Sequence, residues 1–178
     1  MKSDIREILI TKEALAAKVQ EMGKQISEDY RGRDLLMISV LKGSVVFMAD
    51  LMRAVDIPVS VDFMNVSSYG SGSKTSGIVK IVKDLDIPIE GVDLLIVEDI
   101  LDSGKTLNYL KQILAARKPA SIAVAALLNK PERRQVDVRP DYIGFTIPDE
   151  FVVGYGLDFN ECYRNLPYVG VLSAHVYQ

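Results

Sequence analysis

Leu94-Leu95-Ile96-Val97-Glu98-Asp99-Ile100-Leu101-Asp102-Ser103-Gly104-Lys105-Thr106 is the stretch on which the fold turns. Its apolar opening, Leu94 to Val97, reads as a buried strand that two adjacent carboxylates, Glu98 and Asp99, bring to an end. A third acid, Asp102, follows three residues on, and then a small hydroxyl-bearing turn. That turn feeds a helical pattern in which Leu107, Leu110 and Leu114 share one face. Backbone N–H groups at the helix start, with the Ser103 and Thr106 hydroxyls, make an anion site. The acids just upstream would repel a bare phosphate. The ligand therefore carries a phosphate and also something that carboxylates bind: sugar hydroxyls or a metal ion.

Gly104-Lys105-Thr106 imitates the end of the phosphate loop of nucleoside-triphosphate enzymes. That loop needs a glycine five positions before Gly104, so that backbone amides can wrap the phosphates. Asp99 stands there instead, and its charge opposes such a ligand. The triphosphate reading fails.

Working outward, the 178 residues are 48% hydrophobic, enough to bury a core in one domain. A net charge of −3 supplies no basic field for nucleic acid. The single cysteine, Cys162, excludes an internal disulfide framework and a cysteine-based zinc cluster. The single histidine, His175, makes a Ser-His-Asp triad or a His-centred metal site untenable, and its place near the C-terminus suits solvent. No run reaches the roughly 18 apolar residues of a membrane span. Met1 to Glu7 is too charged for a secretory signal, so a cytoplasmic, reducing setting is the expectation. Catalysis then rests on carboxylates, lysines, hydroxyls, amides and oxygen-bound metals.

Residues 5–10 read as a short strand, with Thr11 capping a helix on which Leu15, Val19, Met22 and Ile26 align. Residues 35–41 form a buried strand, and 45–55 a helix apolar almost all round, buried in a core or at an interface. Residues 58–66 alternate as a half-buried strand, 77–82 resume strand character, and 121–128 form another buried run. Strands alternating with helices give a parallel sheet covered on both faces. From about Lys130 the pattern changes to short strands rich in Pro, Tyr and Asp, read as a small appended subdomain. Ligands of such sheets bind beyond the carboxyl ends of the strands, where loops 42–44, 99–106 and 129–131 converge.

Four motifs carry the chemistry. The first is the run from Val97 to Thr106. Leu41-Lys42-Gly43-Ser44 leaves a strand and opens a helix, and its glycine permits close backbone approach to an anion. Residues 67–77, with three glycines and five serines, are either a surface linker or a lid. Phe151-Val152-Val153-Gly154-Tyr155-Gly156-Leu157-Asp158 has the pattern of an edge strand with an aromatic face, and Arg164 follows it. Lys130, directly after a buried strand, is by default a solvated loop lysine.

The run from Val97 to Thr106 is similar to the phosphoribosyl-pyrophosphate (PRPP) motif of type I phosphoribosyltransferases, in the form of the bacterial-type hypoxanthine-guanine branch. The likeness extends over about residues 34–171. It implies an α/β fold centred on a parallel sheet, one domain over residues 1–178, with a core of about 12–130. A small hood would combine the N-terminal strand with about residues 131–178. The implied reaction is purine salvage: PRPP, as its Mg²⁺ complex, gives its phosphoribosyl group to hypoxanthine or guanine, yielding IMP or GMP and pyrophosphate.

The same resemblance implies the roles. Asp102 is the catalytic base, within a PRPP-binding set of Glu98, Asp99, Asp102, Ser103, Gly104, Lys105 and Thr106. Lys42, Gly43 and Arg164 bind pyrophosphate, often with a cis peptide at Leu41-Lys42, and Ser44 stands where the family usually has a second glycine. Ser68 and Tyr69 belong to a lid that shields an oxocarbenium-like centre from water. Lys130 donates to the exocyclic oxygen of a 6-oxopurine, Phe151 stacks on the base, and Val152 offers backbone groups to its edge. Asp158 lies at the purine and joins Glu98 and Asp99 as a metal ligand. A homodimer or homotetramer is implied, with no nucleic-acid or membrane partner. The alternatives are a xanthine-preferring enzyme, or a PRPP-sensing regulator that binds nucleic acid, for which no basic stripe is evident.

Overall fold

The computed structural model describes residues 2–68 and 79–177. Its centre is a six-stranded sheet of order β4-β3-β2-β5-β6-β7. These strands are β2 (Leu35–Leu41), β3 (Val59–Ser68), β4 (Val79–Lys83), β5 (Asp93–Leu101), β6 (Ser121–Asn129) and β7 (Tyr142–Thr146). All neighbours run parallel except β3 and β4. The alternation within β5 explains the layers. Leu95 and Val97 join a core with Leu15, Val19 and Met22 of α1 (Lys12–Asp29) and with Phe47, Met48 and Leu51 of α2 (Val45–Ala54). Leu94 and Ile96 point to the opposite face, where α3 (Lys105–Ala115) lays down Leu107, Leu110 and Leu114. Burial of each leucine contributes about 1.5–3 kcal/mol.

A second, antiparallel sheet of order β1-β9-β8 comprises β1 (Ile5–Ile10), β9 (Val169–Leu172) and β8 (Val152–Val153), and α4 (Ala174–Tyr177) follows it. The first strand of the chain thus pairs with the last. Thr11 caps α1 as its spacing predicts, its hydroxyl accepting from the Ala14 N–H at 3.2 Å.

Three expectations shift. β5 does not stop at Val97 but continues to Leu101, because β6 supplies pairing partners as far as Asn129. β7 lies beyond residue 130 yet joins the central sheet alongside β6, so the core extends into the tail assigned to the hood. Helix α2 is not buried all round: Val45 and Met52 remain exposed on its outer face. Tyr69 lies outside the described residues, and of Ser68 only the backbone, the last position of β3, is placed.

Helices α1 and α2 meet at Gly23, where an added Cβ would collide with the Ala54 backbone. The substitution Gly23→Ala gains helix propensity, about 1 kcal/mol, but overpacks a site where the obstacle is main chain, at a cost of about 1–3 kcal/mol. A net fall in Tm is the expected result of a thermal melt. A rise would mean that the two helices separate freely.

Candidate active site

The carboxyl ends of β2 and β5 and the start of α3 enclose a cavity of about 290 Å³. Gly43, Glu98, Asp99, Asp102, Ser103 and Thr106 are among the residues that line it, and Gly104 lies in its wall. The sequence motifs at residues 42–44 and 97–106 therefore meet in one place, as the parallel register requires. Gly104 takes a left-handed backbone (φ +80°) to turn from strand to helix, a conformation that favours glycine. The first N–H groups of α3 face the turn, and the Ser103 hydroxyl accepts from the Lys105 N–H at 3.4 Å. The Lys105 side chain is exposed.

The Leu41-Lys42 peptide is cis. Beyond it, Gly43 lies so close to Asp99 that a Cβ would overlap the carboxylate. A Cβ on Gly156 would in turn collide with the Gly43 carbonyl, so three segments of the chain converge on this loop. Ser44, in the position of the family's usual glycine, is fully buried and binds back on the strand end through the Ser39 hydroxyl (2.8 Å) and the Val40 carbonyl. The change from glycine preserves the helix entry.

Glu98 is 9% exposed and its carboxyl is pushed well up from the ordinary range, chiefly by burial and then by Asp99. Burial likewise pushes Asp99 up to about 6, although the Ile100 N–H donates to it at 2.8 Å. Arg164 pulls the Asp99 value down and Asp158 pushes it up. Two neighbouring carboxylates, one buried and one half-buried, are costly to ionise unless positive charge approaches them, and Arg164 does so for Asp99. Hard oxygen donors of this kind suit a divalent ion that keeps several waters and shares substrate oxygens. Among the described residues, no three or more His, Cys, Asp or Glu side chains are grouped to hold a metal by themselves.

Asp102 turns one carboxylate oxygen, Oδ1, inward, where it accepts no hydrogen bond. The nearest cation is Arg133, with Nε 3.6 Å away. Arg133 also approaches Asp149 at 3.6 Å, and Asp149 lies 3.7 Å from the Lys130 ammonium. Lys130 is 5% exposed, and its N–H donates to the Leu101 carbonyl at 3.0 Å. The default reading as a solvated lysine does not hold.

Sequence reasoning missed Arg134. Its guanidinium donates to the carbonyls of Asp102 (3.0 Å), Leu101 (3.3 Å) and Val138, and to Asn129 Oδ1 (2.7 Å). Its stem packs under Gly104, and the next residue, Gln135, donates its N–H to the Ser103 carbonyl at 3.0 Å. The end of β6 is thus stapled to the acid-bearing turn after β5. Five donors in a rigid fork suit this task, and a lysine could not replace them. An arginine beside another arginine in a polar tail carries no sequence signal of such a role.

Phe151, Val152, Asp158 and Arg164 stand apart from the cavity lining, in the small sheet and the loop after it. Phe151 is 37% exposed. The Leu172 N–H donates to the Phe151 carbonyl, which makes Val152 and Val171 the non-hydrogen-bonded pair of the ladder. Since β8 is an edge strand, the Val152 N–H and C=O point off the open side of the sheet, while its side chain is buried. Arg164 donates to the Gly156 carbonyl (2.8 Å) and pairs with Asp158 (2.9 Å), leaving its Nε buried without a hydrogen bond. Lys42 points outward to Glu161, at 3.1 Å.

The raised acids predict a stability effect with a definite sign. A carboxyl that holds its proton longer when folded costs stability as pH climbs from the ordinary range through the folded value, and the cost is complete above it. In protein free of divalent cations, Asp99→Asn is expected to raise Tm above about pH 6. Each kcal/mol regained is worth about 2–4 °C in a chain of this size, and the gain disappears below about pH 4. An unchanged Tm across this range would show that Asp99 carries no burial penalty.

Over residues 6–160 the chain matches the family described as the phosphoribosyl transferase domain. It is 51% identical over 178 residues to the hypoxanthine-guanine phosphoribosyltransferase of Bacillus subtilis, an alignment covering 100% of this chain and 99% of that one. A hypoxanthine phosphoribosyltransferase crystal structure from Staphylococcus aureus superposes with a TM-score of 0.97 at 48% identity, covering 100% of this chain and 97% of that one. The chain is also 49% identical over 177 residues to the bifunctional protein TilS/HprT of Listeria monocytogenes, of which it spans 27%. With strand ends, acid pair and phosphate turn assembled as described, the chain belongs to the phosphoribosyltransferase family, in its hypoxanthine-guanine branch.

Proposed function

We propose that this chain transfers the 5-phosphoribosyl group of PRPP to hypoxanthine or guanine, releasing pyrophosphate. The observation that carries this reading is Asp102, which lines the phosphate-turn cavity and whose buried Oδ1 accepts no hydrogen bond, with Arg133 Nε 3.6 Å away. A buried acceptor left open needs a partner, and the N7–H of a 6-oxopurine supplies one. As N9 bonds to the ribose carbon and pyrophosphate departs, Asp102 takes the N7 proton. The 5′-phosphate lies on the N–H groups from Ser103 to Thr106, and Glu98 and Asp99 hold the ribose hydroxyls. Lys130 donates to the purine O6, where an adenine amino group would meet it donor to donor. Phe151 stacks on the base, and the free Val152 backbone groups address its edge.

Gly43 and the Lys42 loop, with Arg164, receive pyrophosphate. Glu98, Asp99 and Asp158 are the residues that would hold Mg²⁺, which when bound neutralises charge on the leaving group. The small sheet acts as a hood. The exposed Val45 and Met52 face of α2 suits burial against a second copy in a homodimer or homotetramer. A cytoplasmic setting suits a chain with one free cysteine.

The test is a product assay with PRPP, Mg²⁺ and hypoxanthine, guanine, xanthine and adenine in competition. IMP and GMP are the expected products. Dominant formation of AMP or xanthosine monophosphate, or no nucleotide at all, would overturn the assignment. In the same assay Asp102→Asn is expected to lower kcat by about 10²–10⁴-fold while PRPP affinity stays near that of the parent. A retained kcat with chemistry rate-limiting would remove Asp102 from the role of base.

A further inference from the structure

Residues 173–177 make contacts that the proposed reaction does not use. Beyond β9, the Ser173 N–H donates to the Asp4 carbonyl at 2.8 Å, turning the last residues back across the small sheet. There Val176, like Phe159, packs against the cluster of Val153, Tyr163, Leu166 and Leu172. The next residue, Tyr177, lays its ring on Phe151, with centroids 4.9 Å apart and planes at 20°. Phe159 meets the same Phe151 ring at 5.6 Å and 89°. By strand alternation Phe151 and Val153 share a side, so Tyr177 approaches Phe151 from the side on which Val153 and Val176 pack. Tyr177 is itself 37% exposed.

We propose that Tyr177 is a positioning residue for the purine base: it stacks on the back of Phe151 and holds that ring in the orientation in which its open face receives the base. The inference rests on the reading of Phe151 as the base platform. Phe151 sits just before a two-residue edge strand, and its ring is flanked by Phe159 edge-on and by Tyr177 face-on. An unrestrained ring must be ordered when the base binds, and that cost falls on affinity for the base. An offset-stacked neighbour removes part of the cost beforehand. The hydroxyl takes no part, so the ring alone carries the effect.

The experiment compares the full-length parent, Tyr177→Ala, Tyr177→Phe, Phe151→Ala and the double variant Phe151→Ala/Tyr177→Ala. Steady-state kinetics are read with hypoxanthine or guanine varied at saturating PRPP, and with PRPP varied. GMP dissociation constants are measured by calorimetry, and thermal melts confirm folding. Tyr177→Ala is expected to raise KM for both bases and the Kd for GMP by about 3- to 10-fold, with kcat and the KM for PRPP held. Tyr177→Phe restores the parent values, and in the Phe151→Ala background the loss of Tyr177 adds nothing. Base KM and GMP Kd unchanged or lowered in Tyr177→Ala, or an equal loss in kcat and PRPP use, overturns the proposal. If Phe151→Ala raises base KM while Tyr177→Ala does not, the proposal alone fails. If Phe151→Ala itself leaves base KM unchanged, the platform reading fails and the proposal with it.

Discussion

The parallel pairing of β2, β5 and β6 is the constraint from which the rest follows. Ile38 sits opposite Ile96, and Ile96 opposite Val124, in a register that runs the three strands in one direction. Successive residues of β5 are buried on both faces, Leu95 and Val97 against one core, Leu94 and Ile96 against the other. A strand without a wet face can carry polar chemistry only at its ends. Because the strands are parallel, their carboxyl ends open on the same edge, and the Lys42 loop, the acid turn and Lys130 arrive there together. The site is a consequence of the core's having no other place for it.

At that edge the protein tolerates electrostatics that a purely structural region would avoid. Glu98 is buried and Asp99, next to it in β5, is half-buried, each with its carboxyl pushed up by desolvation. Asp102 keeps an oxygen without a donor, and Arg164 keeps an Nε without an acceptor. Such unfinished groups cost stability in the free protein and become interactions only when a ligand completes them. Rigid surroundings hold them in place: Gly43 against Asp99, Gly156 against Gly43, and Arg134 across four oxygens of the adjoining segments. The start of α3 adds positive potential beside these acids.

Local pattern made much of this legible. The strand–acid–turn–helix order over residues 94–114 needed only periodicity, charge and turn chemistry, and the residues expected on the buried face of α3 are those that pack. Thr11 as a cap and the covered parallel sheet were read in the same way. Less visible were features set by partners distant in the chain. The extension of β5 past its acids depends on β6, the recruitment of β7 depends on an edge left open, and the burial of Lys130 depends on Leu101 and Asp149. Arg134 gave no signal because three of its four acceptors are backbone carbonyls, and every residue has one.

What residue order alone fixed is the chemistry available at the site: which acids, hydroxyls and glycines follow a buried strand. Local interactions suffice for that, since a helix start and a turn are built from neighbours. Tertiary structure alone decided which groups are starved of partners, which backbone edge faces outward at Val152, and that Tyr177 lies on Phe151. Burial, pairing register and ring stacking are relations between segments brought together only when the core closes. A chain's residue types limit such relations but do not choose among them.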